Sequence, residues 1–343
     1  MKKVFLMAVA AVAMLASCSN DETTGKAVNT KAIKFSNTFV NNGTRSMVDP
    51  SFTKESLGNF KVYGYTQNGC IFDGVTVSSN DNGASWTYSP TKWWIQNNTY
   101  TFGAIAPAAT AVSNPQVTNG KVTMDVSFTN NGTTDLLHAA PAVVTADENF
   151  MASPAPVAMS FNHQLSKVKF SFENSIGEGY TMKITNIQIK NAKANGKLTV
   201  AETGNSWSEQ TGETTLNFGA ASTTGENEAE VIANGSTVES YKEMLMIPTA
   251  ADAEYNVGFT FEVLDNNVTV GIYEKTATIK GVELKLGYCY DFKVALTVED
   301  MTDPDNPESP KPIVFTVSSV ENWNNAEVDQ NATVDEVPET QEP

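Results

Sequence analysis

The chain has 343 residues and a formal net charge of −17, from 22 lysine plus arginine against 39 aspartate plus glutamate. A surface that acidic repels phosphate backbones and anionic lipid headgroups, which argues against a nucleic acid partner. The length allows two domains of ordinary size.

The chain opens with Lys2 and Lys3, continues through an uncharged apolar run from Val4 to Leu15, and reaches Leu15-Ala16-Ser17-Cys18. Basic, apolar and small residues in that order make a secretory signal. The run is shorter than the roughly 20 residues of a membrane helix, and the polar Ser19-Asn20-Asp21-Glu22 follows at once, so residues 1–17 are expected to be cleaved. Small residues directly before Cys18 resemble a bacterial lipobox, in which the thiol is lipidated (palmitate-type chains) and the new amine acylated; two linked lipids anchor stably where one does not. Loss of Lys2 and Lys3, with no acid removed, takes the net charge from −17 to −19. Residues 18–31 read as a linker, whose Asp21 and Glu22 resemble an export signal to the outer face of the outer membrane.

Beyond the linker the pattern is almost purely alternating. Strands are expected at Ala32–Phe35, Asn59–Tyr65, Tyr100–Ile105, Lys121–Phe128, Lys167–Glu173, Met182–Ile189, Val257–Val263, Val268–Ile272, Tyr288–Thr297 and Ile313–Val320. Turn signals stand between and within them: Asn42-Gly43, Asn68-Gly69, Asp73-Gly74, Asn82-Gly83, Asn119-Gly120, Asn131-Gly132, Asn195-Gly196 and Asn234-Gly235. So many turns predict an all-β protein of two tandem antiparallel sandwiches. The Pro/Ala-rich Ser153-Pro154-Ala155-Pro156-Val157 places a boundary near 160, giving domains at 32–159 and 160–323. Asn98-Thr99-Tyr100-Thr101-Phe102 and Gly287-Tyr288-Cys289-Tyr290-Asp291-Phe292 echo one another across it. Residues 324–343 form an acidic tail with only scattered valines.

No enzyme signature stands out. His138 and His163 have no Cys or second His at metal-ligand spacing, no glycine-rich phosphate loop precedes a helix, and no Gly-x-Ser-x-Gly elbow occurs. Asp300, Asp303 and Asp305 mimic a calcium loop, but prolines at 304 and 307 and the missing glycine and terminal glutamate spoil it. The expectation is therefore a non-enzyme without metal or cofactor, with His163 a hydrogen-bonded structural residue where the second domain begins. Cys70 and Cys289 are expected buried and free in separate strands. Trp86, Trp93 and Trp94 would stack on sugar rings if exposed; on a sandwich such residues belong more often to the core, with one of an adjacent pair on each face.

Taken in order, the lipobox, Ile33-Lys34-Phe35-Ser36, Thr44-Arg45, Leu57–Tyr65, Ile71-Phe72-Asp73-Gly74, Trp86-Thr87-Tyr88, Trp93-Trp94 and Tyr100–Pro107 resemble the fimbrillin-like family of Bacteroidales. Phe161–Val168, Met246-Ile247-Pro248, Gly287-Tyr288 and Pro312–Val317 with Trp323 continue the resemblance. It implies two β-sandwiches, transthyretin-like in that family, and a subunit of adhesive surface fimbriae. In that family the first strand fills a groove until a protease cuts after an arginine; a strand from the C-terminal region of another subunit then replaces it. Carried onto this chain, the removable strand is Ala32–Val40 and the cut falls between Arg45 and Ser46, Arg45 being the sole arginine. The donor would be Ile313–Val320 or the tail beyond it. Expected partners are other fimbrial subunits, the outer membrane through lipid on Cys18, and host or bacterial surface ligands. A surface glycan-binding lipoprotein using exposed tryptophans is the alternative.

Overall fold

The computed structural model describes residues 31–40, 57–301 and 313–323, with residues 37–40 and 322 described by their backbone only. The first half runs β1 (Lys31–Ala32), β2 (Phe35–Val40), β3 (Asn59–Thr66), β4 (Gly69–Ser78), β5 (Trp93–Trp94), β6 (Thr99–Ala106), β7 (Ala111–Thr118), β8 (Lys121–Thr129), β9 (Leu137–Ala139), β10 (Val144–Thr145), a short helix α1 (Glu148–Ala152) and β11 (Val157–His163). The second half runs β12 (Ser166–Asn174), β13 (Tyr180–Val200), β14 (Ser206–Gly219), β15 (Ile232–Ala233), β16 (Thr237–Glu239), β17 (Met244–Met246), β18 (Tyr255–Asp265), β19 (Val268–Ile279), β20 (Tyr288–Leu296) and β21 (Thr316–Asn322). The all-β fold matches the expectation from alternation.

One seven-stranded sheet is ordered β2-β11-β9-β6-β3-β4, with β10 on β6, and β1 pairs separately with β5. A second seven-stranded sheet is ordered β19-β18-β13-β8-β7, with β14 and β15 also on β13, and a five-stranded sheet is ordered β16-β12-β20-β21, with β17 on β12. Most ladders are antiparallel; β2 on β11 and β12 on β20 are parallel. The central strand β6 is buried at seven consecutive positions, because a strand in mid-sheet with both faces covered loses its polar side. The hairpin β7–β8 turns on Asn119 and Gly120, both at positive φ, as its two-residue connection requires.

The halves are not separable at residue 160. β11 crosses that position whole, pairing with β2 and β9, and the hairpin β7–β8 from the first half is hydrogen-bonded along β8 to residues 195–200 of β13. Three apolar clusters result: one in each sandwich and a third at the seam, where Ile105, Val126 and Leu136 meet Leu165, Leu198, Ile247 and Trp323.

Two expected turns are strand interior. Asn195-Gly196 lies within the 21-residue β13, and Gly196 is there because the Trp207 ring lies against it; an added Cβ would sit 3.0 Å from that ring. Asp73-Gly74 lies within β4. A glycine opposite a large ring and a glycine in a turn read alike in sequence.

Candidate strand-docking site

The first described residues lie across the first sandwich as an extended segment. Ile33 and Phe35 are buried, at 1% and 4% exposure, while Lys34 between them is exposed. Backbone bonds hold the segment from both sides: Ile33 N donates to Lys92 O at 2.9 Å, and Val157 N donates to Lys34 O at 2.7 Å. The Tyr88 hydroxyl donates to Ile33 O at 2.7 Å. β1 pairs Lys31 with Trp94 and Ala32 with Trp93. β2 then runs parallel to β11, with Phe35 opposite Val157 and Ser36 opposite Ala158, and the register shifts before Phe39 pairs with Ser160.

Phe35 enters a box of four aromatic rings. Phe60, Phe72, Tyr88 and Phe102 stand edge-on to it at centroid distances of 6.3, 5.6, 5.6 and 6.1 Å. Such edge contacts add about 0.5–1.5 kcal/mol each to the burial itself. Gly64 makes the floor possible, since a Cβ there would fall 2.8 Å from the Phe72 ring and 3.0 Å from that of Phe102.

β2 is an edge strand, and its removal would expose more than apolar rings. β9 pairs with β11 only at Phe161–His163, so the ladder partner of Val157–Ser160 is β2 alone. A vacated site would present an unpaired strand edge beside an aromatic box, a combination that an extended chain satisfies and water does not.

The other candidate residues fall as follows. Cys18, Arg45 and Ser46 lie outside the described residues. Trp86 and Trp94 are core, Trp86 5.0 Å from Phe60 and Trp94 4.6 Å from Tyr100 by ring centroids. Trp93 points outward at 53% exposure, so the adjacent pair does split between faces. The thiols are free in separate strands, but Cys70 is exposed, not buried as expected. It occupies the start of β4 next to the Gln67-Asn68 turn, where the edge of the sheet leaves it open, and its thiol donates to Phe72 O at 3.2 Å. Cys289 is buried and its thiol is pushed up to about 12 by that burial.

His138 is buried on β9, its imidazole lowered to about 4 by desolvation. His163 is fully buried at the end of β11, its Nδ1 bonded to the Asp135 carboxylate and its ring stacked on Trp323 at 3.4 Å with planes 9° apart. Lys167, paired with Glu243, places its ammonium 5.0 Å from the same indole. Asp135 carried no signal in sequence, because its partner lies 28 residues away. Asp300 caps a turn, accepting from Thr297 N and Oγ1 at 2.7 and 2.9 Å; Asp303 and Asp305 lie outside the described residues. Among the described residues no group of three His, Cys, Asp or Glu is placed to hold a metal ion, and no helix is long and apolar enough to cross a membrane.

Comparison with known proteins bears on this arrangement. The sequence profile of the fimbrillin-like family matches residues 44–323. A fimbrial protein of Bacteroides vulgatus shares the fold, at TM-score 0.55 and 13% identity, over 85% of this chain and 99% of that one. A candidate cell adhesion protein of Bacteroides ovatus aligns at TM-score 0.48 and 17% identity, over 87% of this chain and 99% of that one. The fimbrial anchor protein Mfa2 of Porphyromonas gingivalis aligns at TM-score 0.32 and 13% identity, over 83% and 97%. Only the first superposes closely enough to speak for the fold. No curated protein sequence matches the chain.

Proposed function

The chain belongs to the fimbrillin-like family, and from that premise we propose that it is a fimbrial subunit that polymerises by strand exchange at the Phe35 box. The observation that carries this reading is the docked edge segment: Ile33 and Phe35 fill a site that the rest of the sheet has built, and the sole arginine, Arg45, follows Val40 by five residues. Cleavage between Arg45 and Ser46 would detach that segment from the body of the chain. An extended strand from a second copy then restores both the ladder with β11 and the contacts of the box. Because the donor and the acceptor are different surfaces, the contact does not close on itself and a filament grows.

On this reading the subunit is exported as a lipoprotein through Cys18, reaches the outer membrane and the cell surface, and keeps its anchor until the first strand is lost. Its partners are further subunits and whatever surface the fimbria adheres to.

The test is treatment of the protein, from Cys18 onward, with an arginine-specific protease. Release of a peptide ending at Arg45, followed by filaments under the electron microscope, is expected for the native sequence and not for Arg45→Ala. Native protein that is cut at Arg45 and remains monomeric would overturn the proposal.

The exposure of Trp93 favours one second reading, a sugar-stacking face. Retention on polysaccharide gels that disappears in Trp93→Ala would support it.

A further inference from the structure

The tip of the β13–β14 hairpin, residues 201–205, lies against the first half of the chain through a contact of fixed polarity. Asn162 O is a backbone carbonyl and can only accept, so the buried Gln164 turns its Nε2 to it, at 2.8 Å. Gln164 Oε1 is then left facing Asn205 of the hairpin tip, whose Nδ2 donates to it at 2.7 Å. The same Nδ2 stands 3.3 Å from Nδ1 of His138 on β9, which therefore accepts. Just beyond the tip, the Trp207 indole donates to Gln164 O at 2.7 Å. One backbone carbonyl thus sets the direction of each bond from Gln164 to the imidazole.

This arrangement refuses a proton. An imidazolium at position 138 would point its Nδ1–H at an amide that is itself a donor, and the buried Nε2 meets no protein acceptor among the described residues. Both N–H groups of the cation would be left unsatisfied inside the protein. Reversing the Asn205 amide would offer His138 an oxygen but set another against Gln164 Oε1. Reversing Gln164 as well would set its oxygen against Asn162 O. No neighbouring charge offsets the cost. Ile105 of β6 and Asn162 of β11 flank His138 in the ladder, Asn205 meets its ring, and none of these titrates. Asp135 is turned to His163. At the hairpin tip the Glu202 carboxylate accepts from Asn119 Nδ2, and its backbone oxygen accepts from Lys121. Burial, not a neighbouring charge, is what acts on the ring.

We infer that the hairpin tip is an acid-released latch: protonation of His138 expels Asn205, and residues 201–205 leave the first half while the β8–β13 ladder stays closed. In the released state the ring meets water and takes up a proton near its ordinary 6.5, whereas the closed state resists until about 4. The closed form is therefore favoured in full above pH 6.5 and loses that preference as pH falls, the released fraction rising about tenfold per pH unit down to about pH 4. The latch is independent of strand exchange and of the Arg45 cut.

Hydrogen exchange at the tryptophan indoles tests it in the protein from Cys18 onward. Isotopic labelling of the indole nitrogens gives one signal for each of the five tryptophans, and Trp207→Phe identifies the one at the latch. Rates are divided by the intrinsic exchange rate at each pH. Between pH 6.5 and pH 4.5 the Trp207 N–H should become about a hundredfold easier to exchange. Trp94, sealed in the first sandwich at 0% exposure, should keep its rate. His138→Gln should lose the dependence, because glutamine does not titrate, and Glu202→Gln should retain it. If His138→Gln fails to fold, Asn205→Ala decides: with the latch undone, Trp207 should exchange faster at pH 6.5 and gain little more in acid. A Trp207 rate that is flat across the range would overturn the inference. So would a slope that survives in His138→Gln or in Asn205→Ala, or one that vanishes in Glu202→Gln. Acceleration of Trp94 in step with Trp207 would mean that acid unfolds the whole protein, and would overturn it as well.

Discussion

Phe35 and Trp323 are both large rings sealed into the protein near the ends of its described chain, and they are held by opposite means. Around Phe35 the seat is aromatic on every side, and the polar groups of the segment bond through its backbone, at Ile33 and Lys34. Around Trp323 the apolar seam is joined by polar groups that lie against the indole: His163 with Asp135, and Lys167 with Glu243. An apolar box with backbone bonds at its rim makes contacts that any extended chain with a phenylalanine at the right place would satisfy. The polar seat accepts only the indole already in it, since departure would leave buried charged groups facing a void. The two sites thus differ in chemistry, although both rings are nearly inaccessible.

The comparison is broken most strongly at the polar seat. Asp135→Ala removes the carboxylate that His163 Nδ1 faces inside a fully buried pair, and a loss of about 3–5 kcal/mol is expected. Chemical denaturation should show that loss as a lower midpoint, with filament growth of the surviving folded protein unaltered. A variant that keeps its stability would show the cluster to be incidental.

Phe35→Ala tests the dry box. Losing a phenylalanine from a seat at 4% exposure costs about 3 kcal/mol, but the cost falls on docking of the edge segment more than on the whole molecule. Hydrogen exchange at Val157, whose N–H donates to Lys34 O, should accelerate while the amides of β13 and β18 stay protected. Uniform acceleration would mean that the first strand is part of the cooperative core and is not suited to leave.

These expectations also mark what was legible in the sequence. Alternation located the strands that have one face on a core and one in water, such as β8, and Ile33-Lys34-Phe35 declared its inward pair in the same way. The box was not legible, since Phe60, Phe72, Tyr88 and Phe102 come from separate strands and loops whose convergence depends on sheet order. Nor was the division of the chain: nothing in Lys121–Phe128 says that it will pair with residues 195–200. Cys70 was misplaced for a related reason, because an edge position at the start of β4 exposes a residue that mid-sheet would bury.

Acidity sharpens the comparison at His138, near the seam that joins the two sites. Its imidazole is held neutral by burial, with a folded value of about 4 against the ordinary 6.5. As pH falls below 6.5 the unfolded chain takes up a proton that the folded chain refuses, so stability declines until about pH 4 and is then flat with respect to this group. The total is about 3 kcal/mol at most. In His138→Gln that portion of the decline should be missing from a series of denaturation midpoints between pH 7 and 4; an unchanged slope would assign the acid sensitivity elsewhere.

The smallest effect is expected at the cysteines, where chemistry separates edge from core without perturbing either. Cys70 is exposed, while Cys289 is buried at 1% exposure with its thiol pushed up to about 12, so it offers almost no thiolate at neutral pH. Iodoacetamide added to the folded protein lacking Cys18 should label Cys70 alone, and mass spectrometry of the digest reads it directly. Cys70→Ser should change stability by no more than about 0.5 kcal/mol, as surface substitutions do. Cys289 becomes reactive when β20 opens, and β20 is the strand that carries β21. Labelling of Cys289 after the Arg45 cut, and not before it, would therefore report that loss of the first strand loosens the second sandwich; its continued silence would mean that the second sandwich stays closed when the first strand leaves.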